Sequence, residues 1–328
     1  MRFHVSQAEL VTAVCVTWNR RDLLTESLTA VARQSSPPHR VVVVDNASED
    51  GTSALVRSSF PEADLVVAAR NTGGAGGFAI GIGEALKQPC DLLWLMDDDT
   101  VPESGALQAL LEARAHAPQR PVLVASRVLW TDGRDHPMNT PRTKPWAGAK
   151  ERSAARRVDS VPIRSASFVS VLVEADAVRE SGLPIADYFL WNDDFEFTTR
   201  LARGRRALYC PDSIVIHKTR TFGATDADPG ARFYYEVRNK VWLFSRSSGL
   251  APAEKLVYAA STLLRWARTL GSSSDRRALL RAAARGLAHG LRGAPRATPD
   301  VIAEATVAVT PPPLTHEGDE PVEASQDE

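Results

Sequence analysis

Apolar and polar positions alternate in blocks through the first third of the chain. Residues 11–18 form a short apolar run rich in β-branched side chains, read as a buried strand, and the polar residues 19–22 break it. Leu23, Leu24, Leu28, Val31 and Ala32 then recur at helical spacing. Val41 to Val44 are four valines running into Asp45, the pattern of a strand covered on both faces. A short helix over 53–59, a strand over 64–68, a glycine-rich loop at 71–77 and a helix over 78–87 follow. Residues 92–96 make a fourth strand ending in three aspartates, and a helix runs on to about 117. Strands alternating with helices through short connections predict an open parallel α/β sheet. Such sheets bind ligands at the carboxyl ends of their strands, where Asp45, Asn71 and Asp97 to Asp99 fall.

The second half is less regular. Residues 131–164, rich in Pro, Lys and Arg, read as a long and partly mobile loop. The sheet resumes at 168–173, a helix occupies 193–203, and two short strands cover 207–210 and 214–217. From 231 onward the pattern is helical. Residues 297–328 hold no Lys or Arg, many acids and three consecutive prolines, a composition of disorder. The expected division is a catalytic domain over 1–245, a basic amphipathic helical region over 246–296, and a disordered acidic tail over 297–328.

The net charge of -1 offers no whole-chain attraction for nucleic acid. Cys15, Cys90 and Cys210 lack metal-ligand spacing and lie in or beside apolar runs, as reduced core cysteines of a cytosolic protein do. No basic segment followed by an apolar stretch opens the chain, so no signal peptide is expected. No run approaches the ~20 apolar residues that cross a bilayer.

Five constellations carry candidate chemistry. Asp97, Asp98 and Asp99 follow a hydrophobic strand, and three adjacent carboxylates repel one another unless a divalent cation relieves them. Hard oxygen ligands suit Mn2+ or Mg2+, and alternation along an extended chain lets Asp97 and Asp99 face one ion. At the end of the second strand, Asp45 can accept from a base N–H and Asn46 can donate and accept, while Asp50-Gly51-Thr52 reads as a turn and helix cap. The loop from Arg70 through Asn71, Gly73 and Gly74 to Gly77 lets backbone N–H groups approach a phosphate or ribose. A dinucleotide fingerprint is rejected there, because that motif follows the first strand of its fold. Trp191-Asn192-Asp193-Asp194-Phe195-Glu196, followed by Arg200, sets carboxylates beside an indole, as a sugar site does. An acidic helix N-terminus with a packed tryptophan fits that segment equally well. His217, ending a strand, could complete a metal site, although a lone histidine there is more often structural.

Taken in order, these segments resemble family 2 glycosyltransferases: a strand ending Thr-Trp-Asn-Arg, Val-Asp-Asn-Ala-Ser-x-Asp-Gly-Thr, Asn-x-Gly-Gly, Asp-Asp-Asp, Trp-Asn-Asp-Asp-x-Glu and a late His, over about 10–245. The resemblance is nearest to bacterial galactofuranosyltransferases, of the type that primes cell-wall galactan, and to rhamnosyltransferases. The segment Tyr235-Glu236-Val237-Arg238-Asn239 adds to it. It implies a GT-A fold, a Rossmann-like, mostly parallel sheet flanked by helices. It also implies an inverting, metal-dependent transfer of a hexose from a nucleotide sugar to a lipid-diphosphate-linked saccharide. The donor nucleotide would meet Asp45, Asn46, Arg70, Asn71, Gly73, Gly74, Asp97 and Asp98. The metal would sit on Asp97, Asp99 and His217. Asp194 would be the catalytic base, with Trp191, Asp193 and Glu196 on the acceptor side. UDP-galactofuranose is the leading donor and dTDP-rhamnose the alternative. A nucleotidyltransferase or a silent sugar-nucleotide-binding protein are the competing classes, separable by the product released.

Residues 255–292 interleave leucines with Arg265, Arg268, Arg276, Arg277, Arg281 and Arg285. Basic amphipathic helices of this kind lie on anionic membranes, and an ordinary helical subdomain with a solvated basic face shares the pattern. With a lipid-linked acceptor, the pattern implies a peripheral position on the inner face of the cell membrane.

Overall fold

The computed structural model describes residues 9–223 and 228–306. The first half follows the expected alternation. Strands β1 (Val11–Thr17), β2 (Arg40–Asp45), β3 (Asp64–Val67) and β4 (Leu92–Asp97) are interleaved with helices α1 (Arg21–Ala32), α2 (Thr52–Ser59) and α3 (Gly73–Ala85). Then come β5 (Thr100–Pro102), α4 (Ala106–His116), β6 (Leu123–Leu129), β7 (Arg142–Thr143), α5 (Ala149–Arg156), β8 (Val161–Ser165) and β9 (Val171–Glu174). Helices α6 (Ala175–Ser181) and α7 (Asp193–Leu201) lead to β10 (Ala207–His217) and to helices α8 (Phe233–Ser245), α9 (Pro252–Ser272), α10 (Arg276–Arg292) and α11 (Thr298–Ala305).

The strands make one sheet in the order β3-β2-β1-β4-β9-β6-β10-β8-β7, with β5 beside β10. The part β3-β2-β1-β4 is parallel. Strand β9 then pairs antiparallel to both β4 and β6, so the remainder is mixed. Because side chains alternate across a strand, one sequence feeds two cores. Val14, Val16, Leu93 and Leu95 pack with Phe78, Ile82, Phe197 and Leu201 of α3 and α7. Cys15, Val43, Trp94 and Met96 pack on the other side with Leu24, Leu28, Leu107 and Leu110 of α1 and α4. All three cysteines are free and buried.

Three expectations change. The segment 131–164 holds β7, α5 and the start of β8, and is no bare loop. Its polar composition masked a helix whose Glu151 bonds Lys144 and pairs with Arg206. The strands expected at 207–210 and 214–217 are one strand with an irregularity between Cys210 and Ile214. The tail is ordered at its start: Val301 and Ala305 of α11 are buried against the α3 side of the sheet, and Ala69 N–H bonds Ala305 O at 2.7 Å. Residues 307–328, the rest of that expected tail, lie outside the described residues. Helix α8 lies within the stretch read as helical from 231 onward. Helix α8 packs along α10, where Gly286 and Gly290 allow close approach to Tyr234, Arg238 and Val241.

Candidate functional site

The parallel strands bring their carboxyl ends to one edge. Thr17 ends β1 opposite Asp45, and Val16 lies opposite Asp97 at the end of β4. Strand β5 begins directly after the acidic triplet and runs antiparallel to β10, so that His217 is in register with Thr100. This ladder carries the imidazole to the aspartates.

One ligand atom each from Asp97, Asp99 and His217 lie within 4.8 Å of one another. His217 Nε2 is 3.0 Å from Asp99 Oδ1. The other ring nitrogen, Nδ1, donates to Oδ1 of Asn139 at 2.8 Å, and the Asn139 amide donates to Ser167 at 3.3 Å. The ring is thereby oriented with Nε2 toward the acids, as a metal-bound histidine is held by its far nitrogen. Asp99 Oδ1 is buried and accepts no aligned hydrogen bond among the described residues. A buried carboxylate oxygen in that condition, beside a second acid and an oriented imidazole, fits a divalent cation of the Mn2+ or Mg2+ type.

The electrostatics agree. Burial, with Asp99 adding to it, pushes the Asp97 carboxyl up to about 7. Burial pushes Asp98 up to about 6 against the pull of Arg20. Burial also acts upward on Asp99, but His217 and Arg20 outweigh it and hold that carboxyl below its usual range. Burial acts downward on His217, and Asp99 and Asp97 outweigh it. Arg20 was legible only as part of the Thr-Trp-Asn-Arg segment. Its guanidinium bonds Asp98 at 3.2 Å and also Asp99. Beside it opens a cleft lined by Arg20, Arg21, Asp50, Asp99, Lys218 and Arg220. Asn139 carried no sequence signal at all.

The expected donor loops are tied together by their own side chains. Asp45 is fully buried, with one oxygen accepting from Ser48 N–H at 2.9 Å and the other from the Ser53 hydroxyl. Asn46 is also buried; its amide donates to Gly73 O and its oxygen accepts from Thr72. These two side chains hold loops in place and present little surface to a ligand. Arg70 points to α11, where it pairs with Glu304 at 2.9 Å. Asn71 accepts from Gly73 N–H at 2.7 Å, closing a local turn.

The glycines serve close packing. Gly73 has φ +71°, and a Cβ there would sit 1.9 Å from Phe189 O; Gly77 and Gly81 rest on Val16 and Val14 of β1. The α3 N-terminus is partly closed, because Phe189 O accepts from Ala75 N–H. Gly74 alone has open space around it. The glycines of this loop let a helix and a neighbouring chain segment approach, and Gly74 stays open.

That neighbouring segment leads into the acidic motif. Phe189, Trp191 and Asn192 all have positive φ, near +60°, a conformation that costs free energy outside glycine. Helix α8 holds them there. The Asn239 amide reaches the carbonyls of Tyr188, Leu190 and Trp191, each at 2.9 Å. Arg238 bonds the carbonyls of Asp187 and Tyr188, and Glu236 accepts from Asn192 at 2.7 Å. The Arg238-Asn239 pair, legible only as part of a resemblance, is thus the clamp on the acidic motif.

Asp193 and Asp194 open α7. Asp193 is buried, and burial followed by the charge of Asp194 raises its carboxyl well above the usual range; Asp97 adds to this. Burial also raises Asp194, against the opposing pull of Lys240 and Arg142. Asp193 therefore feels Asp97 of the metal-type cluster, and Asp194 feels two cations. Glu196 points inward: its oxygens hold Arg200 at 2.9 and 3.0 Å, and one accepts from Ser247. Arg200 in turn bonds the carbonyls of Gly182 and Leu183, so this pair fixes α7 to α6. Trp191 is half-buried, with Arg232 5.4 Å from its ring.

A family model described as Glycosyl transferase family 2 matches residues 12–179, just over half of the chain. The chain belongs to glycosyl transferase family 2. It is a glycosyltransferase, as the order of its segments led us to expect. It is 31% identical over 203 residues to galactofuranosyltransferase GlfT1 of Mycolicibacterium smegmatis, covering 61% of this chain and 67% of that one. To GlfT1 of Mycobacterium tuberculosis it is 28% identical over 256 residues, covering 73% and 83%. Among solved structures, S. aureus TarS 1-349 in complex with UDP-GlcNAc superposes with a TM-score of 0.58 at 15% identity, over 83% of this chain and 79% of that chain. A longer TarS chain is spanned to only 44% of its length. At such identity the likeness shows the GT-A-type fold alone.

Proposed function

We propose that this glycosyltransferase moves galactofuranose from UDP-galactofuranose to a hydroxyl of a lipid-linked cell-envelope glycan, with inversion at the anomeric carbon. The observation that carries the reading is the gathering of Asp97, Asp99 and His217 into one cluster whose Asp97 acts on Asp193, the neighbour of Asp194. The galactofuranosyltransferase relatives support the sugar, and the UDP-GlcNAc in the TarS complex supports a uridine diphosphate sugar. Asp97, Asp99 and His217 would hold a Mn2+ or Mg2+ ion, which supplies positive charge beside the donor's diphosphate.

The chain's own groups do the rest. Asp194 takes the proton of the acceptor hydroxyl as its oxygen bonds to the anomeric carbon. The bond from that carbon to the diphosphate oxygen breaks, and nucleoside diphosphate leaves. General-base help of this kind is worth about 10²–10⁴-fold. Burial and the charge of Asp194 raise the neighbouring Asp193 carboxyl well above its usual range, which favours its neutral form beside the base. Trp191 offers an apolar face to a sugar, and the Glu196–Arg200 pair fixes the helix that bears Asp194.

We infer a place on the inner face of the cell membrane from the exposed Leu256, Val257, Leu263 and Leu264 of α9 and Leu280, Leu287 and Leu291 of α10, flanked by arginines. Among the described residues no helix is long and apolar enough to cross a membrane.

The experiment pairs donor titration by calorimetry with turnover. Asp194→Asn should cut transfer by about two to four powers of ten and leave UDP-galactofuranose affinity near wild type. Excess chelator should abolish transfer. Donor binding lost with Asp194→Asn, or full transfer in chelator, would overturn the assignment.

A further inference from the structure

Helix α9 is joined to the rest of the molecule by few side chains. Within its 21 residues Thr262 alone is buried. Its inner face nevertheless makes two contacts that lead to one place. Tyr258 packs edge-on against Phe195, 5.2 Å between ring centroids. Further along the helix, Arg265 and the Trp266 indole N–H, the latter at 3.2 Å, both bond Oε1 of Glu236 on α8. The other oxygen of that carboxylate accepts from the Asn192 amide at 2.7 Å. Phe195 directly follows Asp194, and Asn192 directly precedes Asp193. One helix therefore reaches both flanks of the aspartate pair.

The Asn192 side differs from an ordinary helix start. An Asn at that position usually folds its side chain back onto the N–H groups of the first turn. Here φ is +67° and the side chain makes no such cap; it turns to Glu236 instead. Among the described residues no other group bonds it. The Asn192 carbonyl accepts from Glu196 N–H at 2.9 Å, within the first turn of α7, so the place of Asn192 sets the place of Asp193 and Asp194.

Glu236 suits the task chemically. An ionised carboxylate only accepts hydrogen bonds, and it meets three donors here, from Asn192, Arg265 and Trp266. Its side chain is 13% exposed. Burial acts upward on its carboxyl, but Lys240 and Arg265, followed by the bonds from Asn192 and Trp266, hold it below its usual range. The group is thus kept in the form that can hold all three donors at once.

We propose that α9 braces the acidic motif and that Glu236 is the positioning residue through which it does so. This rests on the reading of Asp194 as the base and adds a support separate from Asn239. Asn239 holds backbone carbonyls ahead of α7, whereas Glu236 ties the side chain at the start of α7 to a different helix. A change on α9 then reaches Asp194 through one carboxylate without touching the donor.

Variants of the full chain test it. Their kcat and donor KM are measured for transfer from UDP-galactofuranose to a farnesyl-diphosphate-linked disaccharide. Hydrogen exchange over residues 188–196 is followed as well, since it needs no turnover. Glu236→Ala should lower kcat about 10²-fold, as displacing a reacting group by ~1 Å does, with donor KM within about twofold and faster exchange over 188–196. Glu236→Gln should keep most of the rate, because its oxygen can stay on Arg265 and Trp266 while its amide donates to an Asn192 turned to accept. Asn192→Asp should be as slow as Glu236→Ala, since two carboxylates then face each other. Combining Asn192→Asp with Glu236→Gln should restore both kcat and exchange, because the introduced amide donates to the introduced acid. Trp266→Phe, which removes a single N–H, should lose about three- to tenfold in kcat. Glu236 also opposes the effect of burial on Lys240, so each rate is taken per folded molecule from a melting curve.

Unchanged kcat in Glu236→Ala, or no restoration in the combined variant, overturns the proposal. If Glu236→Ala does not fold, Asn192→Asp with and without Glu236→Gln carries the test. Wild-type kcat and exchange in Trp266→Phe would remove α9 from the brace. Asp194→Asn is measured alongside. Full transfer by Asp194→Asn, with the exchange effects and their restoration intact, sinks the base and leaves the brace standing. Loss of transfer in Asp194→Asn with no effect of Asn192→Asp sinks the brace alone.

Discussion

Asn239→Ala should separate holding the acidic motif from merely stabilising the fold. The side chain is fully buried, and its amide serves three carbonyls of the segment that enters α7. Tyr188 O keeps a bond from Arg238 at 3.0 Å, so the carbonyls of Leu190 and Trp191 are the ones stranded. One amide carries only two hydrogens, which limits the loss to about two hydrogen bonds. Leaving a buried acceptor unsatisfied costs about 1–3 kcal/mol, and both carbonyls are partly buried, so a loss of roughly 2–3 kcal/mol is expected. That is a large share of a domain's ~5–15 kcal/mol. The larger effect is on turnover. Trp191 and Asn192 keep positive φ only while held, and their relaxation moves Asp194. A displacement of ~1 Å at a reacting group costs about 10²-fold. Urea unfolding and transfer from UDP-galactofuranose, measured on the same preparation below the unfolding transition, check both numbers. Full turnover with the stability loss would refute the positioning role, and unchanged stability with full turnover would refute the clamp.

Gly73→Ala should be worse than a usual helix-start substitution, because its Cβ would sit 1.9 Å from Phe189 O at φ +71°; Gly74→Ala, with open space, is the benign control, and similar melting of the two would contradict the packing account. Asp193→Asn should stabilise the protein at neutral pH. Burial, with Asp194 next, raises that carboxyl in the folded state, so native Asp193 retains a proton that the unfolded chain gives up near pH 4. Stability from this group therefore falls as pH rises above about 4 toward the folded value, and the gain from Asn should grow over that range and vanish below it; thermal melts in EDTA across pH show whether it does. The purified protein should sediment with anionic vesicles and less so at high salt, since screening weakens charge attraction; equal recovery with neutral vesicles would remove the membrane reading.

The structure bears out the α/β fold with its C-terminal helices. The first four strands were legible because strands covered on both faces read as short unbroken apolar runs, as Val41 to Val44 do. The composition of 131–164 misled, since α5 is polar and docks through ion pairs where an apolar stripe would have been the signal. The acidic tail misled over 298–305 for a related reason: two buried residues, Val301 and Ala305, suffice to dock one short helix. Within the glycine loop, a string of glycines reads alike whether a phosphate or a chain segment approaches it.

By itself the sequence determined which strands form, that three aspartates end one of them, and that acids open a later helix. These are local facts, set by apolar runs and helix-start chemistry. The tertiary structure decided which groups meet. His217 reaches Asp99 because β10 pairs with β5 in a register that sets it opposite Thr100. Asn239 reaches Trp191, and Lys240 reaches Phe195, because α8 packs across the start of α7. Long-range pairing and helix packing are set by the fit of whole surfaces, which no spacing along one chain encodes.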